Sequence, residues 1–350
     1  MHSALPMGVE AAARTRRRTF LALVGGTATW AAMAAAQVRA QTHTQAHAQT
    51  MPTIGYLGSE TPERYSSRLM AFREGLAEAG YVEGRSVAVD FRWAEGQYNR
   101  LPALAKELAN RQVAVIVAAG GAEVALAAKS ATTTIPIVFE MGGDPIRLGV
   151  VDSLSRPGGN LTGVSSLSVE VSRKRLEFLR EVRPATKVFA VAINPTSPTS
   201  GSQLKNLQVA ADALGLELVV LKASAEQEFD AMFIAVREAK VGGLVFSSDP
   251  YFAYRSPQLA ALAMHHGVPA MMQSRDFPLA GGLMSYGGDF HQSHRHSGVY
   301  AGRILKGEKP SDLPVQRVTK VELFINLKAA RALGLSFPAS LLTTADRVIE

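Results

Sequence analysis

The sequence predicts an α/β protein built as two doubly wound parallel-sheet lobes joined by a multi-strand hinge. Three observations predict it. Apolar runs of strand length alternate with amphipathic stretches of helix length, the signature of parallel βα units. That rhythm stops at the loop "SRPGGNLTG" and then restarts. The 350 residues also exceed one ordinary core and suit two of about 130–150 residues each.

In the first half, residues 53–57 form an expected strand. Residues 66–79 follow as a helix with Leu69, Phe72, Leu76 and Ala79 on one face, ended by Gly80. Strand 87–92, helix 101–109, strand 113–118, helix 122–131 and strand 137–139 complete this lobe. The second half gives helix 171–181, strand 188–193, helix 203–214, strand 216–221, helix 226–239, strand 243–246, helix 257–266 and strand 269–272. The rest holds a strand at 283–285, a helix at 290–305, the extended "DLPVQRV", a strand at 323–325 and a helix at 328–333. It is too short for a third domain. It is therefore expected to complete both sheets, giving lobe 1 as 53–164 plus 283–306 and lobe 2 as 165–282 plus 307–350.

Composition removes several functions. The chain has no cysteine, which excludes disulfides, thiolate metal sites, cysteine nucleophiles and a lipidated N-terminal cysteine. Its formal charge is +7, but five arginines and a single acid, Glu10, lie within residues 1–40. No basic stripe with interleaved aromatics remains, so nucleic acid is not an expected partner. Those first 40 residues resemble an export signal: Arg17-Arg18-Thr19-Phe20-Leu21 fits the twin-arginine pattern, an uncharged run follows, and small-residue cleavage sites occur at Ala36, Ala40 and Ala48. Residues 41–52 are a flexible lead-in. The expected product is a soluble periplasmic monomer without lipid anchor, metal or cofactor.

Two similar words stand about a hundred residues apart, "IVFEMGGDP" at 137–145 and "LVFSSDP" at 244–250. Proline suits a first helical turn because its missing N–H would be unpaired there, and the preceding Asp suits the N-cap. Each word therefore marks a strand passing into a helix. Ser247 and Ser248 are left at the carboxyl end of a strand, the edge along which open α/β sheets bind ligands. Residues 140–144 occupy the equivalent place in the first lobe.

The stretches "IGYLGSETPERYSSRLMAFREGLAEAGYVEGRSVAVDFRWAEGQ", "IPIVFEMGGDPIRLGVVDSLSRPGGNLTGVS", "GGLMSYGGDF" and "RILKGEKPSDLPVQRVTKVELFINLKAARALGLSFP" resemble the ABC-transporter substrate-binding proteins of the tryptophan/tyrosine-binding type. The resemblance runs from residue 53 to the C-terminus. It implies a type I periplasmic binding-protein fold that closes on a small organic solute, amino-acid-like or an aromatic carboxylate, and delivers it to an ABC permease. Carried onto this chain, it implies ligand contacts from Ser59, Gly120, Gly121, Ala122, Met141, Asp144, Asn194, Thr196, Ser247, Ser248, Asp249, Gln273, Tyr286 and Asp289. The first turn at Gly121 and Ala122 would take a carboxylate. Asp144, Asp249 or Asp289 would take an ammonium, and Tyr286 would stack on a side chain.

Other functions find less support. In "HQSHRH", His291 and His294 share a helix face near Asp289, but His296 points elsewhere, so a solvated helix face is expected rather than a zinc hydrolase. Ser202 and Lys205 fit Ser-x-x-Lys without a partner motif. His265 and His266 suit a helix C-terminus. No nucleophile, base and oxyanion site assemble, so the chain is not expected to be an enzyme. A periplasmic sensor for a membrane kinase is the alternative receptor role.

Overall fold

The computed structural model describes residues 51–166 and 168–350. The export signal, its cleavage sites and most of the lead-in lie outside the described residues. The chain enters β1 (Thr53–Gly58), α1 (Ser66–Glu78), β2 (Ala88–Trp93), α2 (Leu101–Asn110), β3 (Val115–Ala119), α3 (Ala122–Ala131), β4 (Ile137–Met141) and β5 (Leu161–Ser165). It then crosses to α4 (Ser172–Val182), β6 (Val188–Ile193), α5 (Ser200–Leu214), β7 (Glu217–Lys222), α6 (Phe229–Glu238), β8 (Leu244–Phe246), α7 (Pro250–Ala253), α8 (Ser256–His265), β9 (Ala270–Met272), α9 (Asp276–Leu279) and β10 (Met284–Gly288). Next come α10 (Phe290–Leu305), β11 (Gln316–Arg317), β12 (Val321–Asn326), α11 (Leu327–Ala332), α12 (Ala339–Thr344) and β13 (Arg347–Ile349).

The strands form two sheets, ordered β2-β1-β3-β4-β5-β11 and β7-β6-β8-β9-β10-β12-β13. All pairings are parallel except β10 with β12. Parallel strands with helices on both faces must be apolar on both sides. β3, β4 and β8 are accordingly buried along their whole length. The strand β5 hides in the sequence because it reads "LTGVS". Its Gly163 is required, since a Cβ there would sit 2.2 Å from the Phe139 carbonyl oxygen of β4.

The tail corrects the expected lobe boundaries. Residues 283–306 do not go to lobe 1 as a block: β10 pairs with β9 and β12 in the second sheet, while α10 packs on α1 in the first lobe. Residues 307–317 likewise belong to lobe 1, where Thr162 donates to the Leu313 carbonyl at 2.7 Å and β11 extends the sheet beside β5. A strand-and-helix rhythm carries no label for the sheet it joins. The chain thus passes between the lobes near residues 166–171, 289 and 318–320.

Helix α10 approaches α1 at backbone distance through two glycines. A Cβ on Gly75 would fall 1.9 Å from the Arg295 carbonyl oxygen, and one on Gly298 would fall 2.1 Å from that of Phe72. Gly298→Ala is expected to lower stability by about 1–3 kcal/mol, the usual cost of overpacking. A urea midpoint equal to that of the parent protein, at the same slope, would count against this close packing.

Candidate functional site

Both sheets direct the carboxyl ends of their strands at one cleft. In the first sheet the strand order reverses between β1 and β3, and in the second between β6 and β8. Such switch points leave a crevice at the strand ends. From lobe 1, Gly120, Gly121, Ala122 and Glu123 follow β3, and Glu140 ends β4; from lobe 2, Ser197 and Thr199 follow β6, Ser248 follows β8 and Gln273 follows β9. Arg68 of α1, Tyr254 and Phe290 also line it. The cavity they enclose in this shut state is small, ≈ 40 Å³, below the about 300–1,000 Å³ usual for small-ligand sites.

The two lobes are shut on each other. Arg255 Nη1 meets Glu60 Oε1 at 2.7 Å, with both side chains buried. Tyr98 donates its hydroxyl to Asp249 Oδ1 at 2.9 Å, and Ser197 donates to Glu123 Oε1 at 2.6 Å. Tyr65 and Tyr254 stack at 4.7 Å across the same boundary. Gly121 adopts φ 108°, and a Cβ there would lie 2.8 Å from Cγ of Pro250 in the opposite lobe. Only glycine allows both that backbone and that approach.

The cavity has separated charges. Arg68, 6% exposed, lies 4.4 Å from the Tyr254 ring centroid and 5.5 Å from that of Phe290, with Asp276 at 3.4 Å. Its cation stands at the first turn of α1, against the helix dipole, which argues for a task other than helix stability. Burial raises the Glu123 carboxyl above its usual range, and Asp249 adds to the rise. Burial also raises Asp249, although Tyr98 and the Tyr251 N–H hold part of its charge. Glu140 is pushed up to about 7 by burial, against the bond from Ser293 and the field of Arg68. Asp249 Oδ2 is buried without a partner.

The sequence-derived residues fall in several places. Gly120, Gly121, Ala122, Ser248 and Gln273 line the cavity. Just behind it, Ser59 shares a hydrogen bond with Tyr65 at 3.2 Å, Asn194 takes the Thr196 N–H and hydroxyl, and Ser247 is buried. Thr196 faces an outer groove shared with Tyr98 and Glu123. Asp249 caps α7 by accepting from the Tyr251 N–H at 2.7 Å while its other contact crosses the cleft.

Two acids, one aromatic and one methionine expected at the ligand stand elsewhere. Met141 points into the lobe 1 core, following strand alternation. Asp144 caps its own turn through the Ile146 and Arg147 N–H groups. Asp289 caps α10 through Gln292. Tyr286 lies mid-strand rather than at a strand end, packed edge-on to Phe178 in a groove with Asp346. The helix carrying "HQSHRH" is not the solvated face expected. His294 is 1% exposed, held near pKa 3 by burial, with the Phe290 carbonyl at 2.8 Å from Nδ1. No metal-ligating group of three forms among the described residues.

Sequence reasoning did not single out Arg68, Glu123, Ser197, Thr199, Tyr254 or Phe290, and it placed Glu140 only as the start of the 140–144 edge. Two left a signal: a cation opening α1, and an acid inside the apolar run "IVFEM".

The ABC transporter substrate binding protein family is matched over residues 60–349. A tyrosine-binding protein from Clostridioides difficile (strain R20291) is 27% identical over 265 residues, 75% of each chain. The crystal structure of an ABC domain in complex with L-Trp from Streptococcus pneumonia superposes with a TM-score of 0.77 at 26% identity, covering 86% of this chain and 100% of that one. A ligand-free, open substrate-binding protein with adhesive properties from Clostridium difficile gives 0.60 at 25% identity, covering 85% and 99%. At 26% against 25% identity, the closed lobes described above match the tryptophan complex better than the open form, with a TM-score of 0.77 against 0.60. No helix among the described residues is long and apolar enough to cross a membrane.

Two outcomes follow for the closed state. Gly121→Ala should hold the lobes apart, and small-angle scattering should show a larger radius of gyration with any bound solute; an unchanged radius would contradict it. The raised acids set the sign of the pH response. Glu140 ionises near 4.5 when exposed and near 7 when buried, and Glu123 and Asp249 shift the same way. Their burial is least costly below pH 4.5, and stability should fall as pH rises through about 7. Ligand-free melting temperatures between pH 5 and 8 should decline, and a rise over that interval would be the opposite sign.

Proposed function

Because the chain belongs to the ABC transporter substrate-binding protein family, we propose that it captures an amino-acid-like solute with an aromatic or apolar side chain in the interlobe cleft. Delivery would be to an ABC importer in the inner membrane, from a periplasm that the chain reaches through its twin-arginine-like segment. One observation carries the ligand assignment. A cation, Arg68, and an acid without a cationic partner, Glu123, line the same closed space, and a second such acid, Asp249, stands between the lining residues Ser248 and Pro250. A zwitterion neutralises both. Its carboxylate would sit by Arg68 and the first N–H groups of α3, where helix polarity also favours an anion. Its ammonium would sit by Glu123 and Asp249, and its side chain against Tyr254 and Phe290. The relatives named for tyrosine and solved with tryptophan support this class.

Closure and binding are one equilibrium: a ligand that neutralises the buried acids favours the closed state by its differential affinity for it. The test is a thermal-shift and calorimetric screen of the chain starting at Gln41 against amino acids, deaminated aromatic acids and sugars. Aromatic or apolar amino acids should raise the melting temperature with concentration, by mass action. Glu123→Gln should weaken binding at least roughly 30-fold, as expected when one partner of a buried charge pair is removed. Stabilisation by sugars alone, with amino acids inert, would overturn the assignment.

A further inference from the structure

The lobe 2 side of the cavity carries three hydroxyls, Ser197, Thr199 and Ser248, and buried groups behind them determine where their protons go. Gln203 of α5 is fully buried. The Ser248 backbone N–H, which can only donate, meets its Oε1 at 2.6 Å. That contact fixes which end of the amide is oxygen. The amide nitrogen then donates to the Ser248 carbonyl and to Thr199 Oγ1, each at 2.9 Å.

Ser197 gives its single proton to Glu123 Oε1 at 2.6 Å, so in its 3.1 Å contact with Thr199 Oγ1 it is Thr199 that donates. The Ser248 hydroxyl is committed as well. It donates to the Ser168 carbonyl at 2.6 Å and accepts from the guanidinium of Arg175, which can only donate. Every hydroxyl proton of this wall is therefore used inside the protein. What remains for the cavity is lone pairs, next to Glu123 and the unpartnered Asp249 Oδ2.

We propose that Gln203, acting through Thr199 and Ser197, keeps the hydroxyls of this wall acceptors toward the cavity and so makes the cleft select a solute bearing a cationic amino group over one bearing a hydroxyl at the same carbon. Gln203 is a positioning residue, separated from the cavity by the hydroxyls it orients. The inference rests on the amino-acid assignment above and adds what enforces it. An ammonium brings three donors and no acceptor. A hydroxyl brings one donor, and its own lone pairs face lone pairs that cannot turn away. Sites built to hydrogen-bond a substrate NH or OH reject an analogue lacking it by as much as roughly 10⁴-fold.

The experiment measures dissociation constants by calorimetry for L-tryptophan and indole-3-lactate, and for L-tyrosine and 4-hydroxyphenyllactate. It compares the parent protein with Gln203→Met and Thr199→Val, which break the relay without adding charge, and with the exposed Gln208→Glu on the same helix as a control. The parent should prefer each amino acid over its hydroxy acid by at least about 100-fold. Both relay variants should reduce that ratio about tenfold or more, the value of one such bond, with the control unchanged. Relay variants that weaken both ligands equally, leaving the ratio intact, would overturn the proposal while the amino-acid assignment stands. A parent protein that binds the hydroxy acids as well as the amino acids would overturn the assignment itself. Melting temperatures of folded variants accompany each titration. If Gln203→Met does not fold, the Thr199→Val ratio decides.

Discussion

The closed structure depends on carboxylates buried at the boundary of two lobes. Glu60, Glu123, Glu140 and Asp249 all lie in or beside the cleft, and only Glu60 has a close arginine, Arg255, at 2.7 Å. An ionised carboxylate without a partner is costly in a low-dielectric space, so each such group either takes up a proton or waits for a cation. Nearly every unusual feature nearby answers that constraint. Tyr98 reaches across to Asp249, Ser197 reaches across to Glu123, and Ser293 supports Glu140. Gly121 gives up a side chain so that Pro250 can close over the site. The cleft is an electrostatic question to which a solute is one answer.

The same constraint bears on Asp249, which caps α7 and reaches across the cleft at once. One oxygen holds the Tyr251 N–H and the Tyr98 hydroxyl, and the other is free of partners. The cap fixes the side chain's direction, and the fixed direction leaves the second oxygen oriented for other contacts. In "LVFSSDP" the Asp-Pro turn is therefore both local helix chemistry and part of the cleft. Its counterpart Asp144 is a cap alone, because its oxygen is consumed by its own turn.

Much of the fold was legible because alternation of apolar runs and amphipathic helices is a local pattern, and the turns after β3, β6 and β8 announce strand ends. Ser248 follows from that logic, and Gly120, Gly121 and Gln273, implied by the resemblance, fall where it puts ligands, at carboxyl edges. What could not be read locally was contributed from a distance. Arg68 sits on a helix whose apolar face suggests only packing, and Phe290 comes from a helix more than two hundred residues later in the chain. Tyr286 misled because a short apolar word does not show that its strand continues to Gly288, which moves the edge past the tyrosine. The relay behind Ser197 and Thr199 was invisible for the same reason: Gln203 and Ser248 are 45 residues apart.

The three crossings between lobes have a consequence for how such a chain comes to exist. Neither lobe is a continuous stretch: α10 and β11 finish the first only after β10 has been added to the second, and β12 and β13 finish the second last. While the chain is still being synthesised, β5 lacks its neighbour β11 and the α1 surface around Gly75 and Phe72 lacks its cover. Neither half is therefore complete until the final sixty or so residues are present. A chain exported as a folded body must complete synthesis first, and one held unfolded for export has no finished domain to resist being threaded.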